Sequence, residues 1–136
     1  MVAAVCGWHE HHARATAAIG RRLRGRERMI VAAPALIEAY SVLTRLPAPY
    51  RLAPADALAV LQNGFVRGAH LVALPATAYR VVLGNAPISG IAGGRIYDEV
   101  IGACCLRGRA TTLLTFNIGH FESFRARGLD VVVPAD

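Results

Sequence analysis

Three side chains in this sequence have the type and placement to act on a phosphodiester. Glu38 is the only charged residue between Arg28 and Arg45, in the run VAAPALIEAYSVLT over residues 31–44. A lone carboxylate in so apolar a setting turns to water, pairs with an arginine, or is accompanied by a cation, because burying it alone is costly. Asp98 falls in the first turn of an expected helix over residues 95–107, where the helix dipole favours a negative charge. Asn117 follows Thr115 at the carboxyl end of an expected strand, and in open α/β sheets the working crevice lies beyond those ends. If the two acids share that crevice, their repulsion requires a cation, and an oxygen-only ligand set favours magnesium, with manganese as the alternative. A carboxylate-held metal lowers the pKa of its bound water and clamps a phosphate, which is nuclease chemistry. Two salt-bridged structural acids would look the same at this level.

Other chemistries are excluded by spacing. The stretch WHEHHA at residues 8–13 has Ala13 four positions after His9, so the H-E-x-x-H zinc pairing is absent and the histidines read as a polar face at a helix start. Gly90, Gly93 and Gly94 lack both the preceding strand and the spacing of a dinucleotide cradle, and read as a mobile loop. There is no G-x-S-x-G elbow around Ser41, Ser89 or Ser123. Cys104 and Cys105 sit mid-helix in an apolar run and read as core.

The elements that must carry these residues follow from apolar periodicity and from proline and glycine punctuation. Residues 8–24 read as a helix with alanines on one side and arginines elsewhere. A strand is expected over 29–33, then a helix from Pro34 to about Leu46, a proline-rich loop over 47–54, and a helix from Asp56 through Val66. A short strand over 70–74, a helix opened by Pro75, and a flexible-looking segment over 85–94 precede the helix of Asp98. Gly108 offers its C-terminal cap, and residues 111–115 form the strand that ends at the Thr115-Asn117 turn. A basic helix after Phe121 and a final strand over 130–133 complete the chain. Helices alternating with strands imply an α/β class with a mainly parallel sheet.

With 136 residues and 54% apolar content, the chain is expected to form one domain, residues 1–136, with a real core. All fifteen basic residues are arginine, so every mechanism that needs a lysine amine is excluded. The formal charge of +6 points to an acidic partner such as nucleic acid, although a genome rich in arginine codons gives the same excess. Three cysteines without C-x-x-C spacing fit a reducing cytoplasm. No apolar run is long enough to span a membrane.

Three blocks jointly carry a resemblance: PALIEAYSVLTRLP at 34–47, GGRIYD at 93–98 and LLTFNIGHF at 113–121. Together they resemble a PIN domain of the VapC ribonuclease-toxin family, in the right order over nearly the whole chain. The resemblance implies a three-layer α/β/α fold and a magnesium-dependent endoribonuclease acting on structured RNA such as transfer or ribosomal RNA. It also implies the toxin role in a type II toxin-antitoxin system, a VapB-type antitoxin and a homodimer. Carried over by position, Glu38 and Asp98 match metal-binding acids. Asn117 matches the late polar position, often an aspartate, and Thr115 the threonine before it. Arg95 stands where RNA phosphates would pass.

The family begins with a strand ending in Asp-Thr-Asn or Asp-Thr-Ser, which supplies its main metal-binding aspartate. Here the first residues read as the segment after that strand, so the expectation is a central sheet whose first strand is absent from the chain, through a start placed too late or a truncated gene. With Asn117 neutral and Glu99 where a small residue is usual, weak magnesium binding is expected. The alternative reading is a degenerate, non-catalytic PIN domain that binds an antitoxin or RNA.

Overall fold

Proline and glycine set the element boundaries much as the sequence pattern requires. In the computed structural model, which describes residues 1–135, the chain runs through α1 (Val2–Val5), α2 (His12–Arg24), β1 (Ile30–Ala32), α3 (Ala33–Arg45), α4 (Pro54–Leu61), β2 (His70–Val72), α5 (Ala76–Asn85), α6 (Arg95–Arg107), β3 (Thr112–Leu114), α7 (Ile118–Phe121) and β4 (Asp130–Val132). α3 and α4 each carry proline in the first turn, where the missing N–H would have no partner anyway and the fixed φ suits a helix. The strands form two two-stranded ladders, β1 with β2 and β3 with β4. The second ladder is parallel, with Leu113 opposite Val131. A mixed helix and strand chain with parallel pairing is the α/β class that the alternation implied.

Residues 1–71 with 134–135 form one compact unit, and residues 72–133 form another. In the first, Leu43 is fully buried, and Cys6, Val31, Ala57, Leu61 and Phe65 pack around it. Ala39 and Leu43, four apart on α3, define that helix's inner face. Residues 62–66 continue α4 as a π-turn, which keeps Phe65 in the core. Arg21 donates to the carbonyl of Ala135 at 2.7 Å and ties the last described residues to α2.

In the second unit Phe124 is fully buried with Cys105, Phe121, Leu129 and Val131. Gly102 on α6 lies so close to the Phe124 ring that any side-chain carbon there would fall within it. α5 contributes no buried residue, and Tyr79, Val81 and Leu83 are exposed on it.

Local departures from the sequence reading have physical causes. The first long helix begins at His12 rather than residue 8, because residues 7–11 form consecutive turns, with His9 N–H donating to Cys6 O at 3.0 Å and His12 N–H to His9 O at 2.8 Å. The basic segment 122–127 is a 3-10 helix that ends in left-handed Gly128. Gly108 and Gly25 do end their helices, yet both keep a right-handed conformation, and the left-handed residue is the arginine that follows, Arg109 at φ 57° and Arg26 at φ 63°. Backbone bonds from Ala110 to Cys105 and from Glu27 to Arg22 close these ends. A side chain in that conformation costs roughly 1–2 kcal/mol relative to glycine.

Cys6, Cys104 and Cys105 are free and buried, as expected for core. Burial, followed by the neighbouring Cys104, pushes the Cys105 thiol up to about 11. The folded state therefore holds a proton that the unfolded chain releases above its ordinary value of 9.0, so this contribution to stability is present below that pH and is lost as pH rises toward 11. We expect iodoacetamide at pH 8 to leave Cys104 and Cys105 unmodified in the native protein and to modify both after denaturation, as read by mass spectrometry. Rapid native labelling would show the second core to be open.

Candidate active site

The site begins with the turn that follows β3. Thr115 extends the β3–β4 ladder by donating its N–H to Val132 O at 3.0 Å, so its position is fixed by the sheet. Its Oγ1 accepts the backbone N–H of Asn117 at 3.0 Å, a local turn of the kind that Ser, Thr, Asp and Asn side chains supply. Asn117 is then the N-cap residue of α7, a helix too short to do more than orient its side chains. His120, three residues after Asn117, shares its face. The two side chains meet, Asn117 Nδ2 and His120 Nδ1 lying 2.7 Å apart.

The same ring nitrogen lies 2.7 Å from Asp98 Oδ2. Asp98 is half-buried in the first turn of α6, where the dipole favours its charge. One nitrogen serves both neighbours consistently when it carries the hydrogen and donates to the carboxylate. The Asn117 amide then turns its oxygen, not its NH2, toward the ring. In this arrangement the imidazole fixes Oδ2, and Oδ1 of Asp98 is left to meet a cation or a donor. The Thr115 hydroxyl, having accepted from Asn117, keeps its own hydrogen to donate. Arg95, one turn before Asp98 at the start of α6, is exposed.

Four sequence candidates, Asp98, Asn117, Thr115 and Arg95, thus lie in the second unit, on α6 and in the turn between β3 and α7, and the first three belong to one hydrogen-bonded chain. Glu38 belongs to the first unit. It sits on α3 beside Ile37, outside the inner face formed by Ala39 and Leu43, and is exposed. Of the outcomes open to a lone acid, it takes the solvent-facing one. The terminal amine of Met1 is nearby: burial lowers its pKa, and the Glu38 carboxylate pulls it the other way. His120 is the residue that sequence reasoning passed over. The i, i+3 spacing from Asn117 was its signal, and nothing in the sequence placed it against Asp98, twenty-two positions earlier.

Oxygen donors on this scaffold suit a hard cation. Among the described residues no three His, Cys, Asp or Glu side chains converge as a metal cage. Magnesium does not need one, since it commonly keeps several waters and takes one or two carboxylates together with substrate phosphate. The Asp98 carboxylate, held on one oxygen and accessible at the other, has that character.

Over 131 residues the chain is 31% identical to Ribonuclease VapC40 of Mycobacterium tuberculosis, in both strain H37Rv and strain CDC 1551 / Oshkosh, a match covering 96% of this chain and 91% of that protein. The chain belongs to the VapC ribonuclease family. A second VapC relative, Ribonuclease VapC27 of Mycobacterium tuberculosis strain H37Rv, is 36% identical over 101 residues, covering 74% of this chain and 71% of that protein. No family model matches the chain. No solved structure matches it either. For a VapC chain, the Thr115–Asn117–His120–Asp98 arrangement lies where the alternation of β3 and α6 would put working residues, at a strand's carboxyl end.

Proposed function

We propose that this chain is the toxin of a type II toxin-antitoxin pair, a magnesium-dependent endoribonuclease that hydrolyses phosphodiester bonds in transfer or ribosomal RNA. The observation that carries the reading is Asp98 of α6 bonded to His120, whose ring also meets Asn117 in the turn after β3, in a chain of the VapC ribonuclease family. In this reading Asp98 is the acid that takes the metal. Bound there, magnesium would lower the pKa of a water and offset the charge that builds on phosphate during hydrolysis. Manganese has the same ligand chemistry. The residues of the chain do the rest. Thr115 donates its hydroxyl hydrogen to a phosphate oxygen or to water, Asn117 orients the same group through its amide, and Arg95 grips a neighbouring phosphate in the bidentate manner of a guanidinium. A VapB-type antitoxin, a second copy of the chain and a cytoplasmic location complete the proposal. Exposed apolar side chains on α5 offer a surface for one of these partners. Among the described residues no helix is long and apolar enough to cross a membrane.

The test is cleavage of purified transfer and ribosomal RNA with magnesium and with excess EDTA, beside calorimetric titration of magnesium. Cleavage that EDTA stops supports the proposal. Intact RNA under both conditions, with no heat of magnesium binding, favours the second reading, a non-catalytic PIN domain that binds antitoxin or RNA. That reading draws its support from there being, among the described residues, no convergent group of three His, Cys, Asp or Glu side chains.

His120→Ala is expected to weaken magnesium binding and cleavage by about 10–100-fold, the usual effect of removing the partner that orients a ligating carboxylate. His120→Asn, which keeps a donor near Oδ2, should recover part of the loss in the same titration. Unchanged magnesium affinity in His120→Ala would remove the histidine from the site.

A further inference from the structure

Far from Asp98 in sequence, the first unit carries a row of rings that neither its core nor the acids explain. Trp8 and Tyr50 pack with centroids 4.4 Å apart and planes tilted by 36°, and both remain nearly half exposed, at 48% and 44%. The row continues from Trp8 to His9 at 5.8 Å and from His9 to His11 at 5.4 Å. An aromatic pair serving only the core would be covered, as Phe121 and Phe124 are.

The rings are held in place before any ligand arrives. Backbone bonds pin the turns beneath them, His11 N–H donates to His9 Nδ1 at 3.1 Å, and His12 Nδ1 lies 3.0 Å from Ala3 O. Tyr50 is fixed by its N–H to Pro47 O at 3.0 Å. Cations flank the row: a guanidinium nitrogen of Arg14 lies 2.6 Å from His11 Nδ1, and Arg51 follows Tyr50 with its Nε donating to Leu46 O at 2.8 Å. Glu10 is the acid within the cluster, 3.5 Å from His11 and facing water. Exposed π-faces such as those of Trp8 and Tyr50, flanked by guanidinium groups, bind unpaired nucleobases, because every base has a face to stack and every nucleotide a phosphate to neutralise.

We propose that Trp8 and Tyr50, with His9 and His11 beside them, form a stacking platform for unpaired bases of the RNA substrate. The inference rests on the ribonuclease reading.

Trp8 is the only tryptophan, so its fluorescence reports on this surface alone. The full chain carrying Asp98→Asn, to prevent cleavage, is titrated with single-stranded RNA oligonucleotides and with a blunt RNA duplex of the same length. Saturable quenching by the single strand and little by the duplex is expected. In anisotropy with labelled single-stranded RNA, Tyr50→Leu and Trp8→Ala should each weaken binding by roughly 5- to 150-fold, the range for losing one stacked base. Trp8→Phe should restore most of it. Equal quenching by duplex, or affinity unchanged in both Tyr50→Leu and Trp8→Ala, overturns the platform. If the wild-type chain cleaves RNA while those variants bind normally, the platform alone is wrong. If the wild-type chain neither cleaves nor binds RNA, the ribonuclease reading falls with it.

Discussion

Asp98→Asn is expected to lower RNA cleavage by about 10²–10³-fold, the scale on which removing one charge-stabilising group from a phosphoryl-transfer site acts. The substitution keeps the shape of the side chain and an oxygen for His120, and removes only the negative charge that a divalent cation requires. Because the Asp98–His120 contact is partly exposed, the fold should lose no more than about 1 kcal/mol. A single-turnover assay on gel-purified RNA, paired with a melt followed by circular dichroism, separates the two effects. A variant that cleaves at the full rate would leave α6 with no part in the chemistry. A variant that fails to fold would show that the carboxylate is structural, which is what an acid in the first turn of a helix is in many proteins.

Phe124→Ala should produce the largest loss of stability, about 3–5 kcal/mol, because the ring is wholly buried and is the bulk that fills the second core. The ring is also seated directly on Gly102, and that closeness makes the prediction sharper than burial alone. Gly102→Ala pushes a methyl into the ring and should cost about 1–3 kcal/mol by overpacking. In the double variant the methyl enters the space the ring has left, so the combined loss should be smaller than the sum of the two. Urea denaturation of the four proteins gives the coupling directly. Strict additivity would mean that helix α6 and the Phe124 ring are not in contact in solution.

Much of the fold is legible in the sequence, for reasons that differ by element. α3, α4, α6 and the strands at 30–32, 112–114 and 130–132 are marked by prolines, by a glycine stop and by apolar periods, all of them local signals. Asp98, Thr115 and Asn117 are legible because each stands at the end of such an element. His120 is not, since a histidine after a turn carries no sign of which carboxylate it will meet. The row from Trp8 to His11 reads, in sequence, as the start of a helix. Its stacking depends on Tyr50, forty-two residues beyond Trp8, and on backbone turns that hydrophobic pattern does not register. The left-handed arginines at 26 and 109 are equally hidden, because a glycine one position earlier is the more obvious place for the chain to reverse.

Helix α5 gives one further consequence. Ten residues are fewer than an isolated helix needs to persist in water, and none of the ten is buried. Its backbone amides have little to slow their exchange with deuterium beyond the helix's own hydrogen bonds, so they should be among the first to take up label while those of α6 remain protected. The uptake rate of α5 is then a built-in gauge of occupancy. Whatever protein settles over Tyr79 and Leu83, which share a face, will slow it, whether or not the partner touches Asp98.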